Sequence, residues 1–327
     1  MKLNTSVTTS PHIKQPEGVR LVMLDVIIAL IPAGLAAIFF FGISAALVIA
    51  TSVTSCILAE YLWCKILKKP VSTGDLSAII TGLLLAYSLP PKTPLWVVII
   101  GGIFAIIVVK QLFGGLGHNF MNPALCGRAF LLASWPAYMT SWTAPSLFGT
   151  DAVSSATPLE NLTVESIETL PPISQMFFGN TAGSIGETSA VLILLGGLYL
   201  IIRKVIPWRV PVFYILTAYV LGFIFGGGNL WQNFTIANMH IFSGAILLGA
   251  IFMATDYTTS PVTPLGHIIF GIGCGLITML IRLAGGYAEG VTYAILIMNA
   301  LTPLIDRYVT PRAFGHFKEK KEAEANG

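Results

Sequence analysis

Charge is what this sequence has least of. Lys, Arg, Asp and Glu make up 10% of its 327 residues, against 55% hydrophobic, whereas a soluble domain carries about a quarter charged residues. That scarcity, with a mean hydropathy of +0.80, excludes an ordinary soluble domain and points to a polytopic membrane protein. There is no basic face or stripe for nucleic acid to dock on, so no nucleic-acid partner is expected. Cysteine is scarce too. Cys56, Cys64, Cys126 and Cys274 share no C-x-x-C spacing, which argues against a disulfide framework, an iron–sulfur cluster or any other metal site. Residues 1–20 are polar and lack the apolar core and cleavage site of a signal peptide, so the first apolar run is expected to be a retained span.

Apolar stretches of about 14–22 residues recur along the chain, near the ~20 that a bilayer core requires of a helix. Spans are expected at roughly 21–41, 43–63, 76–89, 95–113, 123–135, 188–203, 210–227, 240–255, 266–283 and 288–304. The stretches 76–89 and 123–135 are short enough for half-helices or re-entrant segments. Basic residues cluster at Lys2, Lys14 and Arg20, at Lys65, Lys68 and Lys69, at Arg203, Lys204 and Arg209, and from Arg307 to Lys321. With about ten spans, these clusters all fall on the cytoplasmic side, both termini included. Lys92 and Arg282 stand against the rule as isolated charges.

Lys110-Gln-Leu-Phe-Gly-Gly-Leu-Gly returns as Ile281-Arg-Leu-Ala-Gly-Gly-Tyr-Ala, and Thr93-Pro-Leu returns as Thr263-Pro-Leu. An odd number of spans in each half gives the halves opposite orientation. The expected fold is therefore all-α, with about ten transmembrane helices as two inverted five-helix repeats containing short or broken helices. The expected divisions are a cytoplasmic tail (1–20), a first membrane repeat (21–135), an extracytoplasmic loop (136–187), a second repeat (188–306) and a cytoplasmic tail (307–327).

The loop has acids (Asp151, Glu160, Glu165, Glu168 and Glu187) and no Lys or Arg between Trp135 and Thr188. Long loops are uncommon and tend to carry function. Within it, Asp151-Ala-Val-Ser154-Ser155-Ala156-Thr157 resembles the flavinylation motif Asp-x-x-Ser/Thr-x-Ala-Thr. That motif marks proteins carrying FMN as a phosphoester on a Thr hydroxyl, here Thr157. Small neighbours suit an extended acceptor segment, and Pro158 biases Thr157 toward extended backbone. The plainer alternative is a polar connector between helices.

A second candidate is Gly114-Gly-Leu-Gly117-His-Asn119-Phe-Met-Asn122-Pro-Ala-Leu-Cys-Gly-Arg128. Its glycines allow tight turns, and Asn122-Pro123 is suited to cap the next helix. The alternative is simply a tight helix–helix turn. Arg128, about one turn into an apolar segment, needs a partner; an acid, a flavin oxygen and a phosphate all remain open. Among acids near membrane depth (Asp25, Glu60, Asp75 and Asp256), Asp256 in Ala-Thr-Asp-Tyr-Thr-Thr-Ser-Pro is the candidate for cation coupling. Its alternative is an interfacial helix-end carboxylate.

The Ser10-Pro-His-Ile opening, the G-G-L-G-H-N-F-M-N-P-A-L-C-G-R-A-F run, the D-A-V-S-S-A-T-P-L loop and the A-T-D-Y-T-T-S-P-V-T-P segment together resemble the RnfD/NqrB family. The short tail before the first span is on the RnfD side of that family, and Ser155 stands where Gly is common. The resemblance implies a prokaryotic inner-membrane subunit of the Rnf complex, moving electrons between ferredoxin and NAD with coupled Na⁺ or H⁺ movement. It implies FMN on Thr157, made by a flavin transferase, and a second, non-covalent flavin, thought to be riboflavin, among the helices. Asn119 and Asn122, then Gly117 and Arg128, are the positions that match for the second flavin. Other Rnf-type subunits and membrane lipid are the implied partners. A small-solute transporter or channel without flavin is the alternative from another class.

Overall fold

The computed structural model describes residues 18–145, 170–285 and 289–310, with Thr157, Leu159 and Leu162 between them. Regular structure among these residues is helical, and the molecule has the polytopic membrane architecture expected of its composition. Asp151, Ser154, Ser155 and Ala156 lie outside the described residues, as do most of both tails.

Helices α1 (Val19–Phe41) and α2 (Ile43–Ile66) open the chain, joined at Gly42 with φ +70°. The face of α1 turned into the protein carries Asp25, Ala29, Ala33, Gly34 and Ala37, while Leu24, Ile28, Ile31 and Leu35 are exposed. Small residues inside and large apolar ones outside is the pattern of a helix that faces lipid tails and packs closely on its neighbours. A Cβ at Gly34 would collide with Tyr87 Oη, and that hydroxyl donates to the Leu30 carbonyl at 2.8 Å. The glycine thus makes room for the hydrogen bond that ties α1 to α3 (Ser77–Tyr87).

Helix α3 has 11 residues and α5 (Pro123–Ser134) has 12, so the two shortest expected segments are indeed short. Asn122 caps α5 as its sequence suggests: its Oδ1 accepts from the amides of Ala124 (3.0 Å) and Leu125 (3.3 Å). Between them, α4 (Leu95–Ile103) widens into a π-helical stretch, Phe104–Gln111. A short α6 (Pro136–Met139) and α7 (Ile173–Phe178) flank the loop.

The second half runs α8 (Ala190–Ile202), α9 (Arg209–Ile224), α10 (Leu230–Phe242), α11 (Ile246–Leu248, π-helical on to Met253), α12 (Pro264–Ala284) and α13 (Val291–Tyr308). The expected single span at 240–255 is corrected here. The chain enters it on α10, breaks at Ser243–Ala245 with Gly244 at φ +76°, and leaves on α11 bent by 60°. Hydropathy alone conceals such a break, because both arms are apolar. By length and composition α1, α2 and α12 can cross a bilayer unaided, and the bent pair α10–α11 makes a fourth. The shorter apolar helices pack among these.

Candidate functional site

Two polar clusters lie at opposite ends of α12, whose 21 residues rise roughly 30 Å. The first surrounds a cleft of about 750 Å³, counting the space open at its mouth. Val22 and Val26 of α1, Leu84 of α3, Ile206 and Phe252 supply apolar wall; Ser77, Lys110, Asn119, Asn122 and Asp256 supply the polar groups. Ligand sites commonly combine a mostly apolar wall with a few convergent polar groups.

Behind one wall is a buried ion pair. Lys110 Nζ donates to Glu60 Oε2 at 3.1 Å, to Oε1 at 3.3 Å and to Ser77 Oγ at 2.6 Å. Gln111 Nε2 donates to Glu60 Oε1 at 2.9 Å and Ser72 Oγ does so at 2.5 Å. Glu60 is fully buried and Lys110 nearly so. With i→i+5 bonding the π-helical stretch has more residues per turn, so the angle between successive side chains is smaller and Lys110 and Gln111 both reach the same carboxylate. All three ammonium hydrogens have acceptors, so Lys110 holds the wall and has no proton left for a ligand.

Across the cleft, Asp256 is half-buried. Its Oδ2 accepts from Thr258 Oγ1 at 3.0 Å and Thr259 Oγ1 at 3.4 Å, and the Asn119 amide bonds to it as well. Burial raises its pKa above the ordinary carboxyl value, and these donors pull it back. Asn122 is more committed than its sequence context suggests. Its oxygen is spent on the α5 cap, and its Nδ2 donates to the Met253 carbonyl at 3.2 Å. One amide hydrogen remains to face the cleft.

The second cluster sits at the loop-bearing end. Arg128 forms an ion pair with Glu289, which precedes α13. Glu187, in the 3₁₀ turn before α8, stands against Glu289. Arg282 Nη1 donates to the His240 carbonyl at 2.6 Å and Nη2 to the Ser243 carbonyl at 3.4 Å. A Cβ built on Gly244 would lie 2.7 Å from Arg282 Nη2 and 3.2 Å from Leu159 Cδ2. This brings the residue two past Thr157 against the cluster, and Thr157 is itself buried.

The structure thus gathers Asn119, Asn122 and Asp256 around one cleft and places Thr157 near the other end. Arg128 is not in the cleft; an acid, one of the three partners its sequence left open, is what it meets. Gly117 does not line the cleft either. It has φ +91° with open space where a Cβ would project, so its place in the turn rests on backbone conformation. Sequence reasoning missed the partnerships of Lys110 and Glu289. The available signal was a charge at the edge of each apolar stretch, without any clue to its distant partner.

A family model described as the NQR2, RnfD, RnfE family matches residues 6–315. The D subunit of the Na⁺-translocating ferredoxin:NAD⁺ oxidoreductase complex of Acetobacterium woodii is 48% identical over 326 residues, covering 99% of each chain. The D subunit of the proton-translocating complex of Clostridium ljungdahlii is 45% identical over 319 residues, covering 95% of this chain and 96% of the relative. The D subunit of the ion-translocating oxidoreductase complex of Halorhodospira halophila is 35% identical, with 95% and 96% covered. On a match of this length, the chain belongs to the NQR2, RnfD, RnfE family.

Proposed function

We propose that this chain is the D-type membrane subunit of an ion-translocating ferredoxin:NAD oxidoreductase complex, relaying electrons through FMN on Thr157 and a second flavin in the cleft. The observation that carries the reading is end-to-end similarity to relatives named as the D subunits of such complexes. Those relatives, similar in identity, are named for different ions, so the names leave Na⁺ and H⁺ equally open.

The residues fit the cofactors in kind. Thr157 offers the alcohol that a phosphoester requires, and because that residue is buried here a flavin transferase has to act on it before it becomes so. In the cleft, the Asn119 carbonyl oxygen and the free hydrogen of Asn122 can bond the polar edge of a flat ring system while Val22, Leu84 and Phe252 exclude water from its faces. A flavin accepts electrons singly or in pairs, which is the chemistry a relay needs. The chain's own residues fix position, exclude water and set the local charge. Asp256, against Asn119 on the cleft wall, is the carboxylate placed to link charge there to a cation.

Two further features support the orientation and repeat. Asp25 accepts from Arg203 at 3.0 Å, Tyr257 bonds to the Val205 carbonyl, and the Val262 amide donates to Asp306 at 3.0 Å. The ends of α1, α8 and α13 that carry the basic clusters therefore gather at the cleft end, which suits a cytoplasmic face. The two Thr-Pro-Leu motifs each open a helix, α4 and α12, and these pack on α2 and α9 in turn.

The test is in-gel flavin fluorescence of the denatured chain, wild type beside Thr157→Ala, each co-expressed with a flavin transferase. Fluorescence that survives denaturation in the wild type and vanishes in the variant supports the reading. A dark wild type, with the transferase active on a control, removes the electron relay through Thr157.

A further inference from the structure

Glu187 and Glu289 confront each other in a way that ionised carboxylates cannot sustain. Glu187 is half-buried as a residue, yet its Oε1 is sealed from solvent and has no hydrogen-bond partner within bonding distance among the described residues, although the Ser184 hydroxyl lies beside the carboxyl. Its Oε2 accepts from the Ser184 amide at 3.3 Å. The group alongside is the carboxyl of Glu289, within hydrogen-bonding reach, and Glu289 is already claimed by Arg128. Two acceptors facing each other leave a buried lone pair unsatisfied and two like charges together; one proton between them removes both costs.

Among the described residues, the other charged or titratable groups facing this pair are few. Arg128 comes from α5 and Arg282 from α12. His240 of α10 and Tyr214 of α9 stand behind Arg282, and Tyr87 of α3 backs Gly186. Two guanidiniums and two carboxyls sharing one proton carry a net charge of one positive unit. The cluster is next to Leu159, two residues from Thr157.

We infer that Glu187 and Glu289 are a proton-binding site in which Glu187 carries the proton and Glu289 accepts its hydrogen bond, and that the site responds to charge arriving at Thr157. The second clause rests on the proposed electron relay. An electron delivered to that end by the complex adds a negative charge, which raises the affinity of the carboxyl pair for the one proton that it holds. Linkage then makes the reverse hold: loading the pair with a proton favours the electron's arrival.

The experiment is infrared difference spectroscopy on the assembled complex, wild type against Glu187→Gln, Glu187→Asp and Thr157→Ala. The expected result is a protonated-carboxyl C=O band that shifts in D₂O, is lost in Glu187→Gln and is kept, displaced, in Glu187→Asp. Gln can still donate to Glu289, so that variant is expected to fold; a thermal unfolding scan of the complex checks it. Persistence of the band in Glu187→Gln, or its absence from the wild type, overturns the proton site. Thr157→Ala should keep the band but lose its change between oxidised and reduced samples. A band present in the wild type but indifferent to reduction overturns the link to charge while leaving the proton site standing. Covalent flavin absent from Thr157, by the fluorescence test, fails the relay without touching the carboxyl band.

Discussion

Asn122 and Asn299 meet across the two halves of the chain. With its oxygen turned toward Asn122, the Asn299 amide accepts from the Asn122 backbone N–H at 3.1 Å and donates to the Thr259 carbonyl at 3.2 Å. Asn122 in turn caps α5 and reaches the Met253 carbonyl at 3.2 Å. The backbone groups of Asn122, Ala124, Leu125, Met253 and Thr259 are thereby joined through two side-chain amides. Asn122→Ala should cost about 0.5–2 kcal/mol for the cap alone, and Asn299→Leu about 1–3 kcal/mol for the orphaned donor. The shared bond is donated by the Asn122 backbone N–H, which the alanine keeps, so the two costs should add in the double variant. Thermal unfolding in detergent decides it; a departure from additivity of more than about 0.5 kcal/mol would show that the two side chains are coupled.

The Glu60–Lys110 pair makes a different prediction, because both charges are buried. Lys110→Met leaves a carboxylate buried without its counter-charge and should destabilise by about 3–5 kcal/mol. Glu60→Gln together with Lys110→Met removes both charges and should recover most of that loss, since replacing a whole buried pair is often neutral. A double variant no more stable than Lys110→Met would mean that the network's geometry, rather than its charge balance, sustains the wall.

Much of this was legible locally. The Asn122-Pro123 cap, the boundaries of α1, α2 and α12, and the shortness of α3 and α5 all follow from residues within a few positions of one another. The break at Gly244 was not, because the apolar run continues across it and one glycine in such a run has many uses. The ion pairs were not legible either. Glu60 finds Lys110 only once α4 widens into a π-helix, and Arg128 finds Glu289 only when α5 and α13 are side by side. Sequence can show that a buried charge needs a partner; the fold chooses which.

Asp256 makes a prediction about coupling. Its carboxylate is held by Thr258, Thr259 and Asn119 at the cleft wall. Asp256→Asn keeps size and much of the hydrogen bonding but removes the charge. Electron transfer by the complex should continue while ion translocation into sealed vesicles falls sharply. Translocation per electron equal to wild type would end the case for this residue.

Glu187 and Glu289 should be visible in stability against pH, with opposite signs. For Glu187, burial and then the neighbouring Glu289 push the carboxyl well above its ordinary value. A group whose pKa is raised by folding lends stability that is complete below the unfolded value, about 4.3 for Glu, and fades as pH rises through the folded one. For Glu289, burial pushes upward, but Arg128, the bond from Glu187 and Arg282 outweigh it, so its carboxyl is held low. Its contribution is present above the ordinary value and is lost as pH falls through the folded one. Thermal midpoints of the wild type should therefore decline toward alkaline pH, while Glu187→Gln, unable to ionise, declines less and overtakes or approaches it there. Glu289→Gln should be weakest relative to wild type near neutrality and converge with it in acid. Curves for wild type and Glu187→Gln that run parallel across the whole range would show that Glu187 has the same proton affinity folded and unfolded, and that the carboxyl pair stores no proton.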